Sequence, residues 1–196
     1  MNPLRITLLC AALAIAGAAE AQTPMRIRGT ITAVDGNLLA VKSREGQDLK
    51  LQTADSTTVA VAKAIKFEDI RQGDLVGVTS LKRPDGSLSA VEVHYLPPNI
   101  PTGQGPWDLL PNSTMTNANV EAMVTAAGKR ELVLKYKDGE QKVAVPEGIP
   151  LVRAVPGSRS DLKVGEYVFV AAQAFPDGKM AALRIQVSKD GVKPPQ

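Results

Sequence analysis

Seven residues of this chain recur, in order and without a gap, 92 positions further on. Asp69, Gly73, Val76, Val78, Pro84, Asp85 and Gly86 are answered by Asp161, Gly165, Val168, Val170, Pro176, Asp177 and Gly178. Upstream the spacing drifts: Ile31-Thr32-Ala33 aligns with Val124-Thr125-Ala126, and Lys42 with Gly46 aligns with Lys135 with Gly139. Self-similarity at a fixed period means one supersecondary unit used twice, so residues common to both copies belong to the scaffold. Function is to be sought in what the copies do not share.

Each copy reads as β-structure. Ile27, Gly29, Ile31 and Ala33 alternate with Arg28, Thr30 and Thr32, and Asp35-Gly36-Asn37 then makes a tight turn into Leu38 to Lys42. Period-two alternation broken by a glycine-containing turn marks a hairpin. Glu45-Gly46, Asp85-Gly86, Asp138-Gly139 and Asp177-Gly178 repeat the turn chemistry. These carboxylates sit before glycines because such pairs suit turn geometry, so they are read as turn residues and not as catalysts. Asp69 with Gly73, and Asp161 with Gly165, are placed to cap and end a single helical turn before the next strand. Strands this short are protected at their edges when they close into a small barrel.

The start of the chain points to export. Ile6 to Ala19 is a run of 14 apolar and small residues after Arg5, and Ala19-Glu20-Ala21 has the small-x-small form of a cleavage site. The expected leader is residues 1–21, cut before Gln22, which places the mature protein in the periplasm or outside the cell. The run is too short for a membrane span, which needs about 20 apolar residues, and no later segment approaches that length. Cys10, the only cysteine, has Leu9 where a lipid-anchor motif needs a small residue, and it leaves with the leader. The mature protein therefore relies on packing, with neither disulfides nor thiolate ligands. The formal net charge is +3, with basic and acidic residues interspersed. That distribution, together with few aromatics, argues against a nucleic-acid partner.

The string Asp69-Ile70-Arg71-Gln72-Gly73-Asp74-Leu75-Val76, echoed at Asp161 to Val168, resembles a bacterial exported family of unknown function with an OB-like barrel. Gly105-Pro106-Trp107-Asp108, Ser113 to Asn117 and the ending Lys189 to Pro195 are similar to its two-barrel subfamily. Members of that family are sometimes labelled metal-transporter permeases, an activity that a chain without an apolar span does not fit. The resemblance implies an all-β fold: a tandem repeat of two small OB-like antiparallel barrels joined by a proline-rich ordered insert. The expected organisation is a leader (1–21), a first barrel (22–97), the insert (98–117), a second barrel (118–190) and a tail (191–196).

Candidate chemistry lies mostly in and beside the insert. Pro97, Pro98, Pro101, Pro106 and Pro111 stiffen it, and Trp107, the only tryptophan, is followed by Asp108, Leu109 and Leu110. A plain spacer has no use for that apolar cluster, so the insert is expected to pack across one or both barrels. Trp107 then either fills the seam between barrels or faces a ligand, with Asp108 beside it. His94, the only histidine, alternates with Val91, Val93 and Tyr95 and so points away from its barrel core, either as a solvated surface residue or towards the insert. With Met115 and Met123 it would supply the imidazole and thioether donors that suit monovalent copper. No nucleophile elbow, Walker loop or dinucleotide fingerprint is present, and Asn112-Ser113-Thr114 matches a sequon that is frequent by chance. The expected function is that of a non-enzymatic periplasmic binding or assembly module, without a cofactor, for a small ligand or a periplasmic protein. The alternative is a copper carrier or metal-homeostasis accessory using His94, Met115 and Met123.

Overall fold

The computed structural model describes residues 23–126 and 128–195. The expected leader and its cleavage point lie outside the described residues. The first copy supplies β1 (Thr23–Asp35), β2 (Leu38–Ser43), β3 (Asp48–Gln52), β4 (Thr58–Ala64), β5 (Leu75–Lys82) and β6 (Leu88–Tyr95). The insert supplies β7 (Gly103–Trp107). There follow β8 (Ser113–Ala126), β9 (Lys129–Tyr136), β10 (Gly139–Ala144), β11 (Leu151–Pro156), β12 (Tyr167–Ala174) and β13 (Met180–Val187). Single 3-10 turns, Phe67–Asp69 and Arg159–Asp161, precede β5 and β12. Asp69 and Asp161 close these turns from their last position and not from the cap: their carboxylates accept from the backbone N–H of Lys66 at 2.8 Å and of Ser158 at 2.9 Å.

The chain is all-β, as expected, and its strands close into barrels, but each barrel takes strands from both copies. In barrel 1 the order is β1-β2-β3-β13-β12 and back to β1; β13 meets β3 in parallel and the remaining contacts are antiparallel. In barrel 2 it is β8-β9-β10-β6-β5 and back to β8, closed by a parallel contact between β10 and β6. Each barrel thus joins the first three strands of one copy to the last two of the other, an arrangement consistent with the OB-like repeat. The boundaries 22–97 and 118–190 mark sequence copies and not closed barrels. β4 and β11 carry the chain across: they pair antiparallel with each other, while β4 lies parallel to β13 and β11 parallel to β6. The physical reason is that two similar copies offer interchangeable edges, and the crossed arrangement brings β4 and β11 together.

The two cores follow the exchange. Ile31, Val41 and Leu51 pack with Val168, Val170 and Ile185, and Val76, Val78 and Val93 pack with Val120, Leu132 and Leu134. Strand register also revises the upstream alignment of the repeat. The N–H and C=O of Ile31 bond to Glu166 and Gly165, and those of Val120 bond to Asp74 and Gly73, so Ile31 corresponds to Val120 and not to Val124. The second hairpin is simply longer, and Val124 lies in its exposed arm. A bulge opposite Ala171 and Ala172 likewise leaves Leu183, which strict alternation with Ile185 and Val187 would put inside, 52% exposed; the matching bulge in β6 falls at Val91. One extra residue in a bulge throws its side chain off the alternation.

Gly29 sits where β1 changes partners from β12 to β2. A Cβ there would run into the Lys42 carbonyl oxygen and stand 2.8 Å from the Ser43 Cα. Gly29→Ala is expected to cost about 2–3 kcal/mol in denaturant unfolding, as overpacking against backbone does. The exchange makes a sharper prediction. Residues 22–97 expressed alone are expected to be unfolded or to dimerise by mutual exchange, whereas the whole chain unfolds in one transition; a stable, folded monomer of 22–97 in size-exclusion chromatography and NMR would contradict the topology.

Candidate functional site

Between the barrels, on their outer faces, lies a cavity of about 200 Å³. Barrel 2 contributes His94, Met115 and Asn117 to its lining; barrel 1 contributes Phe169, Arg184 and Gln186. These residues share a face because strand alternation sends them away from cores filled by Val76, Val78, Val93, Val168, Val170 and Ile185. Trp107 of the insert and Pro195 of the tail complete the enclosure.

His94 points outward from its barrel, as its alternation predicts, but it is not solvated: only 8% of it is exposed. The neighbouring barrel, the insert and the tail cover the surface it faces. Its Nδ1 lies 3.1 Å from Glu92 Oε1, and Glu92 is itself buried. In the neutral imidazole, donation from Nδ1 to that carboxylate leaves the lone pair on Nε2. The ring lies over Gly77, its cross-strand partner, where a Cβ would stand 2.5 Å from Nε2. Beyond Gly77 on the same row is Asn117, so glycine opens the path from the imidazole towards β8.

The insert is a strap tied to both barrels. β7 pairs with β8, and Gln104 donates to Gln141 at 2.9 Å, fixing it to barrel 2. On barrel 1, Trp107 stacks against Arg26, with the guanidinium carbon 4.3 Å from the centre of the indole. Arg28 lies between Trp107 and Phe169 at 5.8 and 5.1 Å, and bonds Asp108 Oδ1 at 2.8 Å. Its side chain is only 2% exposed, while that of Asp108 is 48% exposed. Arg44 adds a bond at 2.8 Å to the Asp108 carbonyl. The Arg28 guanidinium, bonded to the Asp108 carboxylate, lowers its pKa below the ordinary carboxylate value.

His94, Trp107 and Met115 therefore meet at one cavity, and Asp108 anchors the strap beside it. Met123 is elsewhere: it pairs with Leu132 in the hairpin arm and is partly exposed. Sequence reading missed Arg28, Phe169, Arg184 and Gln186. The 92-residue offset held a signal for two of them, since Arg184 and Gln186 stand where the first copy has Glu92 and His94, a place where the copies differ in charge and not merely in size.

A twin-barrel protein with a strapped seam is what this geometry defines. Within it, residues 28–94 match DUF5666, a domain of unknown function. That match runs from β1 almost to the end of β6, and so covers three strands of barrel 1 and two of barrel 2. Neither the curated proteins nor the solved structures include a match. Among the described residues no helix is long and apolar enough to cross a membrane.

Loss of the Asp108 charge is expected to leave Arg28 buried without a counter-ion. Asp108→Asn should destabilise the protein by about 1–2 kcal/mol at neutral pH, less than for a fully buried pair because Asp108 is half in water. A lowered folded pKa means the stabilisation is present above the unfolded carboxylate value and fades as pH falls through the folded one. The gap between wild type and Asp108→Asn in urea titrations should therefore close below about pH 4.

Proposed function

We propose that this protein is a non-enzymatic, exported binding module of the two-barrel kind that its sequence resembles, and that its ligand site is the cavity in the seam. The observation that carries the reading is a lining in which apolar groups surround buried polar ones with unused capacity. Gln186 is 7% exposed and its Oε1 has no hydrogen-bond partner among the described residues. A buried amide oxygen left without a donor costs about 1–3 kcal/mol, a deficit that a bound molecule would remove by donating a hydrogen bond to Gln186. Ligand sites combine a mostly apolar wall with a few convergent polar groups in this way. The small volume of the cavity favours a small ligand over a protein partner.

Residue-level NMR with ring-sized solutes tests this reading. Shifts are expected to cluster on the indole N–H of Trp107, on Phe169 and on Gln186, and to vanish in Asn117→Trp, which fills the cavity. Shifts scattered over the surface, or indifferent to that substitution, would contradict the site.

A soft-metal carrier is the second reading, and one observation favours it. Glu92 holds His94 by Nδ1, the arrangement in which a carboxylate orients an imidazole whose other nitrogen binds metal. Met115 lines the same cavity and supplies a thioether, and Trp107 lines it too, as a cation-π wall for the ion; these soft donors suit monovalent copper. Met123 takes no part. Anaerobic titration with monovalent copper separates the readings: a carrier shows stoichiometric quenching of Trp107 that is lost in His94→Ala and Met115→Ala, and unchanged emission removes the metal.

A further inference from the structure

We infer that the molecule taken by this cavity is a small cyclic carboxylate, with its carboxylate on Arg184 and its ring beside Trp107, Phe169 and Met115. The inference rests on the reading of the cavity as a ligand site and adds the chemistry of the ligand.

The repeat supplies its own control. On the outer face of β6, Glu92 and His94 satisfy each other at 3.1 Å. At the corresponding positions of β13, Arg184 and Gln186 have no such arrangement. Arg184 makes no ion pair and no side-chain hydrogen bond among the described residues, although it is half-buried; Gln186 Oε1 is unpartnered too, an acceptor that calls for a donor on the ligand's ring and not for its carboxylate. The other guanidiniums nearby have partners: Arg28 and Arg26 pair with Asp108, although Arg28 Nε has no hydrogen-bond partner among the described residues, and Arg153 lies on the face of Tyr95 at 3.8 Å. Asp74, the carboxylate on the adjoining wall, accepts from Tyr95 Oη at 2.6 Å and from the Arg71 N–H at 2.7 Å. Among the described residues lining the cavity, Arg184 is thus a cation with neither an ion pair nor a side-chain hydrogen bond, and a guanidinium takes a planar carboxylate by two parallel hydrogen bonds.

Position and size define the rest of the molecule. Arg184 lines both the cavity and a neighbouring hollow of about 600 Å³ that also contains Arg153. It stands where the two hollows meet, so an acid entering past two guanidiniums leaves its charge at the junction and passes its apolar part inward. An apolar cavity of about 150 Å³ accepts benzene. The present cavity, about 200 Å³, has room for one six-membered ring with a short arm.

The test uses the purified protein, with phenylacetate, 2-phenylethanol and phenethylamine compared by calorimetry and by Trp107 emission. Phenylacetate is expected to bind at least about tenfold more tightly than the alcohol, as one charge-assisted contact provides, with the amine weakest. Arg184→Gln should reduce phenylacetate to the level of the alcohol and leave the alcohol unchanged, and Arg184→Lys should restore part of the difference. Melting curves recorded alongside show whether each variant is folded; if Arg184→Gln is not, the wild-type series decides. Equal affinity for acid and alcohol, or acid binding unaffected in folded Arg184→Gln, overturns the carboxylate while the ligand site stands. Failure of all three at millimolar concentration, together with absence of solute shifts at the cavity, overturns both.

Discussion

A three-stranded sheet has two open edges, and in this protein neither copy of the repeat covers its own. β1 and β3 are covered by β12 and β13, and β8 and β10 by β5 and β6, so that each half of the chain completes the other. Unpaired edges invite association with other chains, and closure into a barrel removes them. Here closure requires the chain to cross between barrels twice, along β4 and β11, and the two crossings pair with each other. The outer faces of β6 and β13 are held beside this central pair and form the walls of the seam.

Within the seam, Arg28 decides the path of the insert. Its position on β1 opposite Phe169 directs the side chain outward, and the strap then removes it from water. A desolvated guanidinium without a counter-ion costs more than an exposed ion pair returns. Asp108 is the carboxylate that meets it, and Trp107, one residue earlier, covers Arg26. The tryptophan is therefore neither a spacer residue nor free in solvent. It is half-buried, with one side on the arginines and an edge on the cavity.

Strand content, turns and the barrel class were legible because they depend on local pattern: alternation, Asp-Gly pairs and glycines at the ends of short turns. The exchange was not, because the two copies are alike where they contact, and no local pattern states which edge a strand will choose. Leu183 and the alignment of Ile31 failed for one reason, that a bulge or a longer hairpin arm shifts the count without changing residue type. His94 was placed on the right face, with two surroundings open to it, and it lies towards the insert and not in solvent. Alternation tells which way a side chain points, whereas its burial depends on what a distant segment lays over it. For the same reason the meeting of His94, Trp107 and Met115 followed from proximity to the insert, while the barrel 1 wall stayed invisible until β13 was seen to cross over.

Duplication explains why one wall of the seam is closed chemically and the other is not. A pair of equivalent faces begins with equivalent side chains at equivalent heights, and only substitution makes them differ. On β6 and its neighbours the face has become Glu92, His94 and Gly77: an acid and an imidazole that satisfy each other, and a glycine that lets the imidazole lie flat. On β13 and β12 the same positions hold Arg184, Gln186 and Phe169, a cation, an amide and an aromatic ring that do not satisfy one another. Packing alone would favour like faces, since the cores beneath them are built from the same valines and isoleucines. The difference in charge and hydrogen-bonding capacity is concentrated where the barrels face each other across an enclosed space, and there a bound molecule is able to complete it.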